Sequence, residues 1–299
     1  MYETFFGLIL PPFQNTPNVR FFFETDQHRE ALAKLQYVVA NRNGFALVTG
    51  EIGAGKTMLT RKLIRGFEKD VRVCLINNTR VSSQELLRMI AAEFQIDLPK
   101  GADKATLVTM MRRFVEQCYA MRHNVVIIID EGQCLSIDEL EELRLLTNLE
   151  NETDKLVQLL ILGQPELRAT LKHPRLAPLV QRIMMYCHLS PMNFDDMTKY
   201  IAYRLVRASK GRPNVDFSRE ALEKIYERSQ GVPRLVNLVC DNALLVGYSR
   251  QTRLIDSAVV ARAVGQMLPD FRKEALGMSM EDEPVSEGRI ELEEEERGF

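Results

Sequence analysis

Tryptophan is absent from the 299 residues, so large aromatic packing falls to 14 Phe and 8 Tyr. Cysteine is sparse, with five residues at positions 74, 118, 134, 187 and 240 and no C-x-x-C spacing. Four His, at 28, 123, 173 and 188, are equally dispersed, so no zinc-type constellation is present in the sequence. An odd number of cysteines set mostly in apolar segments reads as reduced core residues of a cytosolic protein. Long hydrophobic runs are missing as well. The longest unbroken one, Val125–Ile129, is far short of the roughly 20 residues of a membrane-spanning helix. The opening Met1-Tyr2-Glu3-Thr4 carries neither the basic region nor the cleavage site of a secretory leader. A soluble, internal protein is expected. Gly and Pro, at 16 and 12 residues, are too few for collagenous or low-complexity classes, and the length suits one large or two small domains.

The formal net charge of −2 conceals a split: residues 277–299 hold nine Asp/Glu against two Arg, a net of −7 that leaves +5 on the rest. A mildly basic body does not by itself make a nucleic-acid binder. The acidic stretch has little to bury and is expected to be a solvated tail, 269–299. At the other end, residues 1–26 are rich in Phe and Pro, and so many apolar groups should pack on the body as an arm. Asp26 then stands where a helix N-cap is expected, ahead of Leu32, Leu35 and Val38. From there strands and helices alternate. Phe45–Thr49, Val71–Ile76, Val125–Ile129, Leu156–Leu162 and Met184–His188 read as strands, with helical periodicity between them. The central strands are so uniformly apolar that both faces must be covered, which implies a parallel sheet between helices over 27–190. Beyond about residue 190 strands should stop, and four helical segments make a small all-helical domain over 191–268.

Gly50-Glu51-Ile52-Gly53-Ala54-Gly55-Lys56-Thr57 fits G-x-x-x-x-G-K-[ST] between a strand and a helix. Glycines let backbone N–H groups turn inward around phosphates, and the following helix adds its positive end. Gly50, Glu51, Gly53, Ala54, Gly55, Lys56, Thr57 and Met58 are therefore the expected nucleotide contacts, with Lys56 on the β/γ-phosphates and the Thr57 hydroxyl on Mg²⁺. The competing reading is a Gly-rich turn capping a helix. By chance the pattern arises in roughly one chain in a hundred of this length. The run Val125–Ile129 ends in Asp130-Glu131, and buried carboxylates cost several kcal/mol unless compensated. Mg²⁺ would compensate Asp130, and Glu131 would polarise an attacking water. Acids capping the next helix are the alternative. Gln164 follows the fourth strand at the end where parallel sheets bind ligands, although a Gly-Gln-Pro turn explains it nearly as well. Arg182 and Arg234, taken alone, read as solvated surface groups.

These motifs resemble the AAA+ ATPases of the ExeA type, the general secretion pathway protein A family. The resemblance runs through Tyr2-x-x-Phe5-Phe6-Gly7-Leu8 with Pro12-Phe13, Thr16-Pro17 with Arg20-Phe21, and His28-Arg29-Glu30-Ala31-Leu32. It continues through Gly44-Phe45 into the phosphate loop, then Asp130-Glu131-x-Gln133, Gly163-Gln164-Pro165-Glu166-Leu167, Gln181-Arg182 and Gly231-x-Pro233-Arg234-x-x-Asn237. It covers residues 1–268, with Gly132 where the family usually has Ala. It implies a RecA-like P-loop NTPase sheet followed by a small all-helical AAA+ lid, ATP and Mg²⁺ as cofactors, and assembly into homo-oligomers. It also implies that Gln164 is similar to the first sensor, Arg182 to an arginine finger and Arg234 to the second sensor. Secretion members of the family continue into a membrane span and a cell-wall-binding module, which these 299 residues do not carry.

The expected activity is Mg-dependent ATP hydrolysis that assembles or remodels a partner complex, with an envelope or secretion client, in the cytoplasm or, through a partner, at the inner face of the membrane. Two other classes stay open. One is a DNA-associated ATPase resembling transposition regulators, with Arg61, Lys62, Arg65, Arg204, Arg207, Lys210 and Arg212 as phosphate-binding stripes. The other is a nucleotide-gated scaffold that does not hydrolyse, against which an intact Glu131 argues.

Overall fold

Strands that are apolar at every position have no face to offer water, and here helices cover both. The computed structural model describes residues 1–77 and 81–267. The expected tail, 269–299, lies outside the described residues. Strands β1 (Phe45–Gly50), β2 (Val71–Ile76), β3 (Asn124–Ile129), β4 (Val157–Gly163) and β5 (Ile183–Leu189) form one sheet in the order β2-β3-β4-β1-β5. Every pairing is parallel. The side-chain period of two sends Leu47, Ile127, Ile129, Leu159 and Ile161 to one face, and Val48, Val126, Ile128, Leu160 and Leu162 to the other. The edge strands β2 and β5 are more exposed, as their Arg72 and His188 require.

The helices before β5 are α1 (Tyr2–Phe5), α2 (Asp26–Ala40), α3 (Lys56–Gly66), α4 (Ser83–Glu93), α5 (Lys104–Ala120), α6 (Ile137–Leu146), and the short α7 (Glu166–Leu171) and α8 (Ala177–Val180). Helices α2 and α3 cover the Val48 face, and α4 to α8 cover the Leu47 face. Capping boxes start α4 at Ser82/Glu85 and α6 at Ser136/Glu139. The N-cap of α2 is Thr25, not Asp26. Thr25 Oγ1 accepts the His28 N–H at 3.4 Å, and Asp26 is the first helical residue, paired with Arg29. A hydroxyl and a carboxylate both suit this turn, which is why the sequence pattern was off by one.

After β5 the chain builds α9 (Phe194–Ala208), α10 (Arg219–Ser229), α11 (Pro233–Ser249) and α12 (Ser257–Gly265). This part is helical, with one correction: β6 (Asp216–Phe217) and β7 (Leu254–Ile255) pair in parallel over two residues. So short a pairing, flanked by helix caps, leaves no alternating pattern to detect. The N-terminal arm packs against these helices. Phe6 and Phe13 are fully buried, Ile9 N–H donates to Ala208 O at 2.7 Å, and Asn214 N–H donates to Phe6 O at 2.8 Å. Residues Met1–Gly265 form one compact unit. All five cysteines are free, and four are buried. Among the described residues, no helix is long and apolar enough to cross a membrane.

Candidate active site

The register of the sheet decides which residues can meet. Thr49 lies opposite Gly163, and Ile129 opposite Ile161, so the chain leaves β1, β3 and β4 at one edge. Gly50, Asp130 and Gln164 follow directly and share that edge, at the carboxyl ends where parallel sheets bind ligands. The phosphate loop turns there through Gly53 (φ 81°) and Gly55 (φ 100°), a left-handed backbone that favours glycine. Gly53 has a second reason to lack a side chain. A Cβ there would stand 2.6 Å from the Cβ of Arg234 on α11. Lys56 opens α3 and is buried, its Nζ donating to Gly50 O at 2.7 Å and Glu51 O at 3.0 Å. Burial pulls its pKa below the ordinary lysine value, against the opposing pull of Glu131 and Asp130. The ammonium is thus held by two main-chain oxygens of its own loop, at the mouth of a helix N-terminus suited to anions.

Thr57 Oγ1 donates to Asp130 Oδ2 at 2.8 Å. The other oxygen, Oδ1, accepts the Glu131 N–H at 3.0 Å. Asp130 is buried, and desolvation raises its pKa although both hydrogen bonds oppose the rise. A hydroxyl and a carboxylate side by side, next to an anion-binding loop, are a donor set that fits Mg²⁺, which binds through one or two such groups, waters and phosphate oxygens. Glu131 adopts φ 58°, an uncommon left-handed conformation for a glutamate, and its side chain lines the cavity. The next residue, Gly132, packs flat on β4. A Cβ there would stand 2.4 Å from Ile161 Cγ2, which gives the departure from Ala a steric reason in this chain.

The cavity has a volume of about 490 Å³. Gly53, Ala54, Gly55, Lys56, Thr57 and Met58 line it, while Gly50 and Glu51 contribute the carbonyl oxygens that hold Lys56. Gln164 and Arg234 face the same space. Arg182 does not. It precedes β5, whose first residue pairs with Phe45 at the far end of β1, so the strand's length, roughly 20 Å, separates it from the phosphate loop of its own chain. There Arg182 Nη1 donates to Thr147 Oγ1 at 3.0 Å and to Asn148 Oδ1.

Part of the cavity wall comes from residues to which the sequence assigned no site role. The arm supplies Gln14 to Asn18 and Phe21 to Phe23, and α9 and α11 supply Tyr200, Arg204 and Asn237. Arg204 is buried and donates to Pro12 O at 2.5 Å, Gln14 O at 3.1 Å and Tyr200 Oη at 2.6 Å. Tyr200 Oη donates to Asn237 Oδ1 at 2.8 Å, and Asn237 Nδ2 to Asn15 Oδ1 at 3.1 Å. One member of the expected phosphate stripes is corrected: Arg204 is interior, while Arg61, Lys62, Arg65, Arg207, Lys210 and Arg212 stay exposed. Arg61 donates to Pro17 O at 2.6 Å, Arg207 donates to Arg20 O at 3.2 Å, and Lys62 pairs with Glu24. These cations fasten the arm to α3 and α9. One signal for Arg204 was available: Met197, Tyr200, Ile201, Arg204, Leu205 and Ala208 fall on one helical stripe, so the arginine sits on the buried face of α9.

Comparison with known proteins agrees with this architecture. Residues 40–171 match the AAA domain family. Over 255 residues the chain is 38% identical to general secretion pathway protein A of Aeromonas hydrophila, covering 85% of this chain but only 46% of that protein's length. Among solved structures, Cdc6p of Pyrobaculum aerophilum superposes with a TM-score of 0.65 at 19% identity, over 89% of this chain and 73% of that one. The Drosophila ORC structure bound to DNA gives a TM-score of 0.62 at 14% identity, over 89% and 70%. Identities this low speak for the fold alone, a P-loop sheet with a helical C-terminal part.

Proposed function

This chain carries an AAA domain of the general secretion pathway protein A type, and we propose that it binds ATP with Mg²⁺ and hydrolyses it to assemble or remodel a partner complex. One observation carries the reading. The Thr57–Asp130 contact at 2.8 Å lies beside Lys56 and Glu131, and Lys56, Thr57 and Glu131 line one cavity. Phosphoryl transfer asks a protein mainly for positioning and charge stabilisation. Lys56 exchanges its two loop carbonyls for the β/γ-phosphates, and the phosphate-loop N–H groups hold the remaining oxygens. Thr57 and Asp130 hold Mg²⁺, which when bound neutralises charge on the phosphate oxygens. Glu131 takes a proton from the attacking water, and Gln164 orients the γ-phosphate. In this reading residues 27–190 bind the nucleotide and residues 191–268 are a lid that brings Arg234 onto it. Arg182 cannot reach its own site along β5, so it acts on a neighbouring copy's γ-phosphate in a homo-oligomer.

The name of the relative supports an envelope or secretion client, met at the cytoplasmic face of the membrane through that partner. The burial of Arg204 removes one cation from a DNA-associated reading, and the placement of Glu131 weakens that of a scaffold without hydrolysis. Two variants test the proposal. Glu131→Gln should bind ATP and lose turnover, and Arg182→Ala should turn over some 10³- to 10⁵-fold more slowly. Mixed, the two inactive proteins should regain activity at interfaces that pair an intact Glu131 with an intact Arg182. Equal loss of ATP binding in both variants would sink the assignment, and mixed assemblies without activity would remove Arg182 from the reaction.

A further inference from the structure

Gln133 stands two residues after Glu131 in the Asp130-Glu131-x-Gln133 motif, and its side chain is committed at both ends. It lies in the single 3-10 turn Gly132–Cys134 that follows Glu131. Gln133 Nε2 donates to Glu131 Oε2 at 2.5 Å, and Gln133 Oε1 accepts the main-chain N–H of Gln164 at 2.9 Å. The orientation of the amide follows from the second bond. A main-chain N–H can only donate, so the carbonyl end must face Gln164, which leaves the NH₂ for the carboxylate. Two glycines make room for this. A Cβ on Gly132 would strike β4 at Ile161, and one on Gly163 would stand 3.2 Å from Gln133 Oε1 and 2.7 Å from Leu167 Cδ2. The turn therefore seats directly on the end of β4. The glutamine amide, rising from this turn, reaches from the carboxylate to the residue that follows the strand.

We propose that Gln133 is a positioning residue for hydrolysis, a two-ended brace that ties the carboxylate of Glu131 to the main chain of Gln164. This rests on the hydrolytic reading of the site. A general base must be held within hydrogen-bond reach of the water it activates, and Glu131 occupies a left-handed backbone conformation that its own sequence does not favour. Gln133 holds one carboxylate oxygen, Oε2, in place. The same amide registers any shift of the Gln164 peptide. A displacement of Gln164 toward or away from the γ-phosphate is passed to Glu131 through one rigid group, so that base and sensor move together.

The brace makes no demand on nucleotide binding, and that separates it from a general structural role. The full chain is tested as Gln133→Met, similar in length but unable to donate or accept strongly, and as Gln133→Glu, with Glu131→Gln alongside. Gln133→Met should keep its ATP affinity within about twofold and its melting temperature near that of the unsubstituted protein, while kcat falls roughly 10- to 100-fold. Gln133→Glu puts a second carboxylate against Glu131. Two such groups at hydrogen-bond distance do not both ionise readily, so the acidic limb of its kcat–pH profile should move to higher pH, with turnover partly returning in alkaline buffer. If Glu131→Gln is inactive while Gln133→Met runs at the unsubstituted rate, the brace is wrong and the hydrolytic reading stands. If Glu131→Gln itself turns over normally, both fall. A Gln133→Glu protein that loses the same factor at every pH, with a lowered melting temperature, makes Gln133 a structural residue and overturns the proposal.

Discussion

Lys56 and Arg204 are equally hidden, each with 6% of its surface exposed, and they line the same cavity. Their surroundings differ in kind. Arg204 spends its guanidinium on three fixed oxygens, two from the arm and one from Tyr200, and lies over the rings of Phe21 and Tyr200 at 5.1 and 5.4 Å. Lys56 has two carbonyls of its own loop, and burial weakens its hold on its proton. A buried cation whose bonds join its own helix to a distant arm of the chain is an assembly device. One held by its own loop, beside a helix N-terminus and two acids, is poised for an anion from outside. Burial alone does not separate structure from function. What separates them is whether the partners come from the fold or have yet to arrive.

Breaking the Arg204 site should have the largest effect. Arg204→Met keeps much of the apolar stem but leaves Pro12 O, Gln14 O and Tyr200 Oη short of a donor. Buried acceptors left without this donor cost about 1–3 kcal/mol each, about 3 kcal/mol or more for the three together. In a chain of this size that is a fall in melting temperature of roughly 6 °C or more. Because the arm walls the cavity, ATP affinity should fall with it. A melting temperature within a degree of the unsubstituted protein would show that the arm is held by its aromatic packing alone.

Lys56→Ala should do the reverse, sparing the fold and losing the ligand. Hydrogen bonds to charged groups are worth about 1.5–3 kcal/mol. ATP affinity should therefore drop roughly 10- to 100-fold at an unchanged melting temperature, measured by titration with a fluorescent nucleotide. Unchanged affinity would mean that the loop N–H groups bind the phosphates without help.

The same contrast explains what could be read from the chain. The sheet was legible because its strands carry their burial in their side chains, and the phosphate loop because φ values of 81° and 100° demand glycine. Asp130 stood out as an acid ending an apolar run. The arm could be expected to pack, but not to wall the cavity, since its anchors are carbonyl oxygens of Pro12, Gln14, Pro17 and Arg20, which leave no mark on residue type. Arg204 carried a mark in its helical position, yet its charge drew it into a surface stripe. Gln133 stood in a recognisable motif but showed no role, because its importance lies in a bond to the main chain of a residue 31 positions away. Groups that recognise side-chain chemistry are visible in sequence; groups that recognise backbone are not.

The smallest expected effect sharpens the comparison from the anionic side. Asp130 resembles Lys56 in being buried without a full set of partners, and desolvation holds its carboxyl above the usual carboxylate range. The folded protein therefore binds this proton more tightly than the unfolded chain does, and stability falls as pH rises through the window between the two values. The penalty is absent below the ordinary carboxylate range and complete above the raised one. Asp130→Asn removes it. The amide can accept the Glu131 N–H through Oδ1 and donate to Thr57 Oγ1 through Nδ2, so both contacts survive with one reversed. Without ligand at neutral pH, the variant should melt slightly higher than the unsubstituted protein, and the two should converge in acid. Added Mg²⁺ and a non-hydrolysable ATP analogue should invert the order, since a ligand stabilises only the protein that binds it. If Asp130→Asn melts lower at every pH, the carboxylate is satisfied as it stands. Asp130 would then belong with Arg204, among the charges that build the fold, and not with Lys56.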